Sequence, residues 1–498
     1  MNVMYCKVLC CASRFSLESH ATLVSKYIKY MQTPLRLMSV VFFSGILLAC
    51  SNRYELDQNI KQVELPDNWG EQYQATPVVN NWLSYIDNPQ VHSLVNKALE
   101  RNFELKQAAY EVAIAEQSLI NTGSALWPSL ELSLDANRRK TTDPETYTNS
   151  TSLSADLRYE LDVWGKLSDS KQRDNLLFLS EKANYQQARQ NLVSEVVLAW
   201  FNVIAANNLL ALYEQRARNS QQNLEIIESG YLSGLNEALD VYLARNELNN
   251  ELTRVSEQRA TQAVNIRMLE RLVGDYPGAE LIVDEKLPLL QSDFSLGVPS
   301  ELITRKPGLQ ANWYRLLAQD SALAYAHKQR FPSLNITASI GDSADELSNL
   351  FSGTGLAWSL AGGVVAPIFD AGRLKSNEEI AKLRLQQTEK AYLDGLFEAF
   401  EQVENAITQE QSLKQRYETM LTAQENAMTA ETLSFEQYQS GLVNYTTVLD
   451  AQSRSFDAQS TVIQIKKLLI ANRIKLYLAL GGNFEDFPLE DTQSVVKN

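Results

Sequence analysis

Three segments of the chain alternate strictly between apolar and polar residues, and a fourth segment follows the third in the same order as the second follows the first. In the first segment, Leu130, Leu132 and Leu134 alternate with serine, glutamate and aspartate. Such alternation is typical of a strand with one apolar and one polar face, and about ten residues suffice to cross an outer membrane at a tilt. The pattern predicts strands at about 127–141, 151–164, 331–342 and 355–369. It also predicts polar loops at residues 137–152 and 341–354, which join these strands in pairs.

Long segments without proline lie between the predicted strands. Apolar residues recur three and four positions apart over residues 169–229 and 373–439, which is the spacing of one face of an α-helix. At a rise of 1.5 Å per residue, these helices would be about 90 and 100 Å long, far longer than a typical globular helix. Further helices with this spacing are predicted at about 88–121, 236–274, 299–328 and 442–480.

The chain contains a version of its own sequence twice. Residues 231–248 (YLSGLNEALDVYLARNEL) correspond to residues 438–455 (YQSGLVNYTTVLDAQSRS) at an offset of 207, in one register without insertions. Such a match indicates a tandem duplication. Gly234 and Gly441 are predicted to form the turns at the tips of two long helical hairpins, because glycine adopts backbone conformations that other residues avoid. The two predicted repeats are residues 50–298, with an N-terminal extension, and residues 299–498, with a C-terminal tail.

Charge and composition argue against several classes of function. The net charge of −15 argues against a nucleic-acid partner. The chain has no cysteine after Cys50 and only two histidines in that part, which argues against a disulfide framework, a zinc–thiolate site and cysteine catalysis. No motif of a hydrolase, nucleotide-binding loop or zinc protease is present. We therefore expect neither enzymatic activity nor a metal or other cofactor.

The amino terminus has the pattern of a secretion signal. Residues 40–49 (VVFFSGILLA) form an apolar run that is too short to span a bilayer, and basic residues precede it. We interpret residues 1–49 as a signal-peptide region, with Met31 as the true start. The sequence Leu47-Leu48-Ala49-Cys50 resembles the lipobox of bacterial lipoproteins. That resemblance implies cleavage before Cys50 and attachment of lipid to this cysteine, and Ser51 after it implies delivery to the outer membrane.

The predicted strands and helices are each incomplete in a single chain. Four strands cannot close a barrel, and open sheet edges in lipid would leave backbone groups without hydrogen bonds. Helices with apolar residues at coiled-coil spacing also need neighbours. We therefore predict a mixed α and β membrane protein, in which several chains form a barrel continuous with a helical tube. The competing prediction is a lipid-anchored periplasmic scaffold or adaptor without a pore, which would not require the alternating segments.

Four motifs resemble those of the outer membrane factor family, which includes TolC and OprM, and specifically its lipoprotein branch (NodT-type). They are residues 161–167 (LDVWGKL), 331–334 (FPSL), 367–374 (PIFDAGRL) and 441–452 (GLVNYTTVLDAQ). The resemblance implies a homotrimer with a twelve-stranded β-barrel, four strands per chain, above an α-helical barrel. It further implies an outer membrane channel of a Gram-negative bacterium that completes a tripartite system. The other components would be a periplasmic adaptor and an inner-membrane transporter of the RND type or another type. A channel for type I protein secretion is an alternative within the family.

The resemblance also implies a gate at the periplasmic tip. By position, Asp450 would contribute to a pore-facing acidic ring, and Asp240 with Tyr438 would form an inter-helix lock. Related channels have an arginine at the position of Val443 and a second ring aspartate at the position of Thr447, so the lock here has fewer members. From the residues alone, Asp450 could simply pair with Arg454 four positions later, and Tyr438 could be a packing residue.

Overall fold

The computed structural model describes Trp69 and residues 81–86, 88–283, 287–288, 299–350 and 355–482. The predicted signal peptide, Cys50 and the C-terminal tail lie outside the described residues. The described chain contains eight α-helices and four strands. The helices are α1 (Pro89–Arg101), α2 (Phe103–Ser124), α3 (Lys166–Leu232), α4 (Ala238–Val273), α5 (Pro299–Arg305), α6 (Pro307–Lys328), α7 (Arg373–Gln439) and α8 (Tyr445–Ala479). The strands are β1 (Ser129–Thr142), β2 (Glu145–Leu161), β3 (Ser333–Ala344) and β4 (Ala357–Val365).

The four strands form one antiparallel sheet in the order β1-β2-β3-β4. Because β2 pairs with β3, the sheet joins the two sequence repeats. The register places apolar residues opposite one another on one face. Neighbouring rows on this face are Leu130, Leu157, Ala338 and Leu360, then Leu132, Ala155, Ile340 and Trp358. The other face carries mostly polar residues, so the sheet is amphipathic across all four strands.

The long helices form two hairpins of the same design. Helix α3 reverses into α4, and α7 reverses into α8; α3 and α7 each have 67 residues, or about 100 Å at the usual helical rise. Gly234 (φ 74°) and Gly441 (φ 70°) lie in the two turns. This left-handed conformation is strained for residues with a Cβ atom, which explains why glycine occurs at both tips.

The main apolar core lies around the middle of α3. Val196, Val203 and Ile204 of α3 are fully buried there against side chains of α1, α2, α4 and α8. Helix α3 contains a stretch apolar enough to cross a bilayer, with mean hydropathy 1.6, but half of that stretch is buried in the structure. Its apolarity therefore serves packing. A second core joins α5, α6, α7 and α8, and Trp69 packs into it with its ring 5.9 Å from that of Phe400.

Two predicted helices are divided in the structure, so those predictions were wrong in detail. The helix predicted at 88–121 is interrupted at Asn102, whose side chain accepts a hydrogen bond from the Leu105 amide (2.9 Å) and donates one to the Leu272 carbonyl (2.9 Å). These contacts stabilise the break between α1 and α2. The helix predicted at 299–328 is interrupted at Lys306, because the residue before a proline is disfavoured in helical conformation and Pro307 follows.

The predicted polar loop at 137–152 is also wrong. Strands β1 and β2 continue through it in register, from Asn137 opposite Ser150 to Thr142 opposite Glu145. Backbone pairing does not require apolar side chains, so a hairpin can extend beyond its apolar rows. Strand β4 ends at Val365, earlier than the predicted 369, because Val365 pairs with the first residue of β3 and the nearby Pro367 has no amide hydrogen to donate.

Candidate gate at the helical tips

The tips of the two hairpins pack directly against each other. Ile227 of α3 and Val241 of α4 are buried against Tyr445 and Val448 of α8. This small apolar cluster lies at the end of the hairpins, far along the chain from the strands. The residues that the sequence analysis assigned to a gate lie in and around it.

Asp240 and Tyr438 are brought together at this interface. The Tyr438 hydroxyl donates a hydrogen bond to Oδ2 of Asp240 over 2.9 Å, and both side chains are half-buried. This bond joins α7 of the second hairpin to α4 of the first. The ring of Tyr438 also lies 5.3 Å from that of Tyr445, at an angle of 53°.

The surroundings of both tyrosines favour the protonated form of the hydroxyl. Burial, and then the hydrogen bond to Asp240, raise the pKa of Tyr438 well above its usual range. Burial raises the pKa of Tyr445 to about 12. The protonated Tyr438 hydroxyl is the donor in the bond to Asp240.

Asp450 lies apart from this pair. Its side chain is exposed and accepts a hydrogen bond of 2.9 Å from Nε of Arg454, four residues later on α8. Among the described side chains, no hydrogen bond or ion pair joins Asp450 to Asp240 or Tyr438. Within one chain, Asp450 therefore makes the local pairing that its spacing allowed, and its role in an acidic ring stays a prediction.

The two positions that depart from the family pattern have local roles. Thr447 lies in the first turn of α8, where its amide and hydroxyl both donate to the Asn444 side chain, at 3.2 and 2.9 Å. Asn444 is the N-cap of α8, so Thr447 contributes to a helix cap. Val443 is half-buried in the turn before it. Neither residue can add a charge to the tip.

A buried charged cluster above the tip was missed by the sequence analysis. Arg216 of α3 contacts Glu247 and Glu251 of α4, with nitrogen–oxygen distances of 2.8 Å in each case. Glu251 is fully buried, and burial raises its pKa. A signal was present, because Glu251 occupies a core position in the apolar stripe of α4, seven residues after Ala244. A charged residue at such a position indicates a buried partner.

The chain matches the model of the family described as outer membrane efflux protein, over residues 94–275 and 298–482. A relative is the cation efflux system protein CusC of Escherichia coli strain CFT073, which is 27% identical over 416 residues, covering 81% of this chain and 88% of CusC. Another is SilC of Salmonella typhimurium, a probable outer membrane lipoprotein, 27% identical over 420 residues, covering 82% of this chain and 90% of SilC.

A solved structure shows the same fold. The open state of the MtrE outer membrane channel of Neisseria gonorrhoeae superimposes with a TM-score of 0.76 over 85% of this chain and 96% of MtrE, at 22% identity. The helices and strands of the two proteins are therefore arranged in the same way. Since the family model covers most of both sequence repeats, the chain belongs to the outer membrane efflux protein family and is a channel protein of the outer membrane.

Proposed function

We propose that three copies of this chain close a twelve-stranded barrel and serve as the outer membrane channel of a tripartite efflux system. The observation that carries the proposal is the amphipathic four-stranded sheet with two unpaired edges. On its apolar face, Leu130 and Leu132 of β1 and Trp358 of β4 are each about three-quarters exposed in the single chain (74, 74 and 77%). Lipid on one face and neighbouring copies at both edges would cover these surfaces.

The dimensions of the sheet support a membrane-spanning barrel. Apolar residues occupy five successive rows on one face of β2, from Leu161 to Leu153; β3 is apolar in the first four of these rows and places Asp342 opposite Leu153. At about 3.4 Å per residue along the strand, these rows span about 27 Å, and a tilt of about 40° reduces their height to about 21 Å, close to the apolar band of outer membrane barrels. A periplasmic scaffold without a pore would have no use for such a face.

The channel is closed at the helical tips in this proposal. The hydrogen bond from Tyr438 to Asp240 ties the two hairpins of one chain, and three copies of Asp450 around the axis form an acidic ring. The MtrE channel, which has the same fold, has been solved in an open state. This supports the proposal that a channel of this fold can open. Partner contacts that favour the open arrangement would shift the population toward it.

Exposed leucines at the tips are the proposed docking points for a periplasmic adaptor. Leu232 at the end of α3, Leu235 in the turn after it and Leu442 in the second turn are exposed to 86, 81 and 74%. Apolar side chains exposed at the end of a tube are suited to contact with another protein. In this proposal the adaptor connects the tips to an inner-membrane transporter, which selects the cargo, and the channel itself is passive rather than enzymatic.

The proposed anchor is a lipid on Cys50. Native mass spectrometry of the detergent-extracted outer membrane fraction tests assembly and anchor together. We expect a trimer whose chains start at Cys50 and carry lipid, and a Cys50→Ser variant should lose the lipid mass. A monomer released without detergent would contradict the proposed channel and would instead favour the scaffold.

A further inference from the structure

The buried cluster above the tip connects three helices. We define the Arg216 cluster as Arg216 of α3, Glu247, Glu251 and Arg254 of α4, and Phe456 of α8. Besides its two carboxylate contacts, Arg216 donates a hydrogen bond to the backbone carbonyl of Gln452 on α8 over 3.3 Å. Its guanidinium also lies over the ring of Phe456, 4.6 Å from the centroid. Arg216 therefore connects its own helix, α3, to α4 of the same hairpin and to α8 of the other hairpin.

Phe456 is held by the first hairpin on several sides. Its ring lies 4.9 Å from that of Tyr213 on α3 and 5.9 Å from the guanidinium of Arg254 on α4. Phe456 is buried, and Arg216 is only 12% exposed. Cation–π contacts are stronger where water is excluded, so this arrangement favours a fixed position of α8 relative to α3 and α4.

The second sequence repeat does not contain a copy of the cluster. At the offset of 207, Arg216 corresponds to Ala423, Glu251 to Ala458 and Glu247 to Arg454. The duplication therefore provides an internal comparison, since the same fold is built at this level with and without the charged cluster. A cluster that served only to hold a helical hairpin together would be needed equally in both repeats.

The halves of the two hairpins nearer the tips also differ in the ion pairs between their helices. Ion pairs join residues 211–232 of α3 to 238–259 of α4, including Arg245 with Glu228 and Arg259 with Glu214, each at 2.7 Å. Between the corresponding residues of the second hairpin, 418–439 and 445–466, which the structure describes in full, no side-chain hydrogen bond or ion pair crosses. Apolar packing joins that part of the second hairpin, so its position depends on contacts with the first.

Two polar contacts supply that dependence in the described chain. One is the bond from Tyr438 to Asp240 at the tip, and the other is Arg216 on the Gln452 carbonyl. Gln452 follows the first residue of α8 by seven positions, about 10 Å along the helix. We propose that Arg216 is a positioning residue that holds α8 against the first hairpin and so limits how much of the second hairpin moves when the tip opens. This inference rests on the proposed gated channel.

Distance measurements test the proposal independently of conduction. Because the chain has no cysteine after Cys50, spin labels can be placed at Asn250→Cys on α4 and Ser453→Cys on α8, both exposed positions. Labelled chains are diluted into excess unlabelled chains, so that the measured distance lies within one chain. In this background we compare Arg216→Lys with Phe456→Leu. Lysine keeps a positive charge beside Glu251 but loses the planar fork, whereas leucine at 456 leaves all charges in place.

A matched control is Arg259→Lys, which alters an exposed ion pair of the same hairpin without reaching α8. We expect both cluster variants to add a longer-distance population that the control lacks, and to raise bilayer conductance about tenfold, which corresponds to about 1.4 kcal/mol. Unchanged distances in both cluster variants would overturn the proposal, whatever the conductance. Longer distances without conductance in any variant, including Tyr438→Phe, would support the positioning role and overturn the channel.

Discussion

Substitution of Tyr438 by phenylalanine isolates the tip lock from the packing around it. The change removes one hydroxyl, which donates to Asp240 over 2.9 Å, and leaves the ring in place against Tyr445. Hydrogen bonds to charged groups contribute about 1.5–3 kcal/mol. Because both side chains are half-buried, water can replace part of this bond, so the lower end of that range, about 1.5 kcal/mol, is appropriate.

In the proposed trimer the variant loses this bond in all three chains. If the three tips open independently, the ratio of open to closed tips rises about tenfold, since 1.4 kcal/mol is a factor of ten. If the tips open only together, the three losses add, and the ratio rises about a thousandfold. Planar-bilayer recordings of purified trimers measure this ratio as open probability, and they separate the two modes of opening by the number of conductance levels.

The duplication provides the matched control for this experiment. Tyr231 is the counterpart of Tyr438 in the first repeat, it is exposed, and its hydroxyl makes no hydrogen bond to any described residue. Tyr231→Phe should therefore leave the open probability unchanged. An equal open probability in Tyr438→Phe and wild type would refute the assignment of the lock, provided that both proteins are trimeric.

Three further predictions concern the sheet, a buried ion pair and pH. Leu132→Lys should prevent insertion into lipid vesicles far more than Ser133→Lys on the opposite face, because lysine on the lipid side costs about 2–4 kcal/mol near the midplane; protease protection of the inserted sheet measures this. Arg473 and Glu410 form a buried ion pair, with 2.9 Å between Nε and the carboxylate oxygen. Arg473→Met removes the positive charge beside Glu410 and should lower the free energy of unfolding by about 3 kcal/mol, which denaturant titration would detect. The pKa of Tyr445 is raised from its ordinary value of 10.0 to about 12 in the folded protein. Protonated Tyr445 therefore contributes its full share to the free energy of unfolding below pH 10.0, and this share is lost as the pH rises toward about 12. The stability difference between wild type and Tyr445→Phe should follow the same course.

Periodicity predicted the long helices well because each pattern extends over many turns. The helix predicted at 373–439 has those bounds in the structure, with glycines in left-handed conformation beyond both ends. The interruption at Asn102 could not be predicted in the same way. It depends on the carbonyl of Leu272, which is 170 residues away in sequence, and no local pattern contains that contact.

The candidate site shows the same contrast between local and distant information. The resemblance to the family indicated Asp240 and Tyr438, and the structure places them in hydrogen-bond contact; their role as a gate stays a prediction. The Arg216 cluster joins α3 and α4 of the first hairpin to α8 of the second, which is distant in sequence, so spacing alone could not assemble it. Glu251 in an apolar stripe indicated that some buried partner exists, without indicating which residue it is.

In the proposed channel, the contacts that tie the two hairpins at the tip lie within a single chain, whereas the barrel requires several chains. The bond from Tyr438 to Asp240 and the contacts of Arg216 with α8 all join residues of one chain. The apolar face of the sheet and exposed helix residues such as Phe397 and Val264 need other molecules to cover them. Assembly would therefore complete the sheet around tips that are already tied, and the energy to open them would have to come from a later partner. An adaptor can supply it only by binding the open arrangement more tightly than the closed one. It follows that weakening both intrachain contacts should reduce the channel's need for an adaptor.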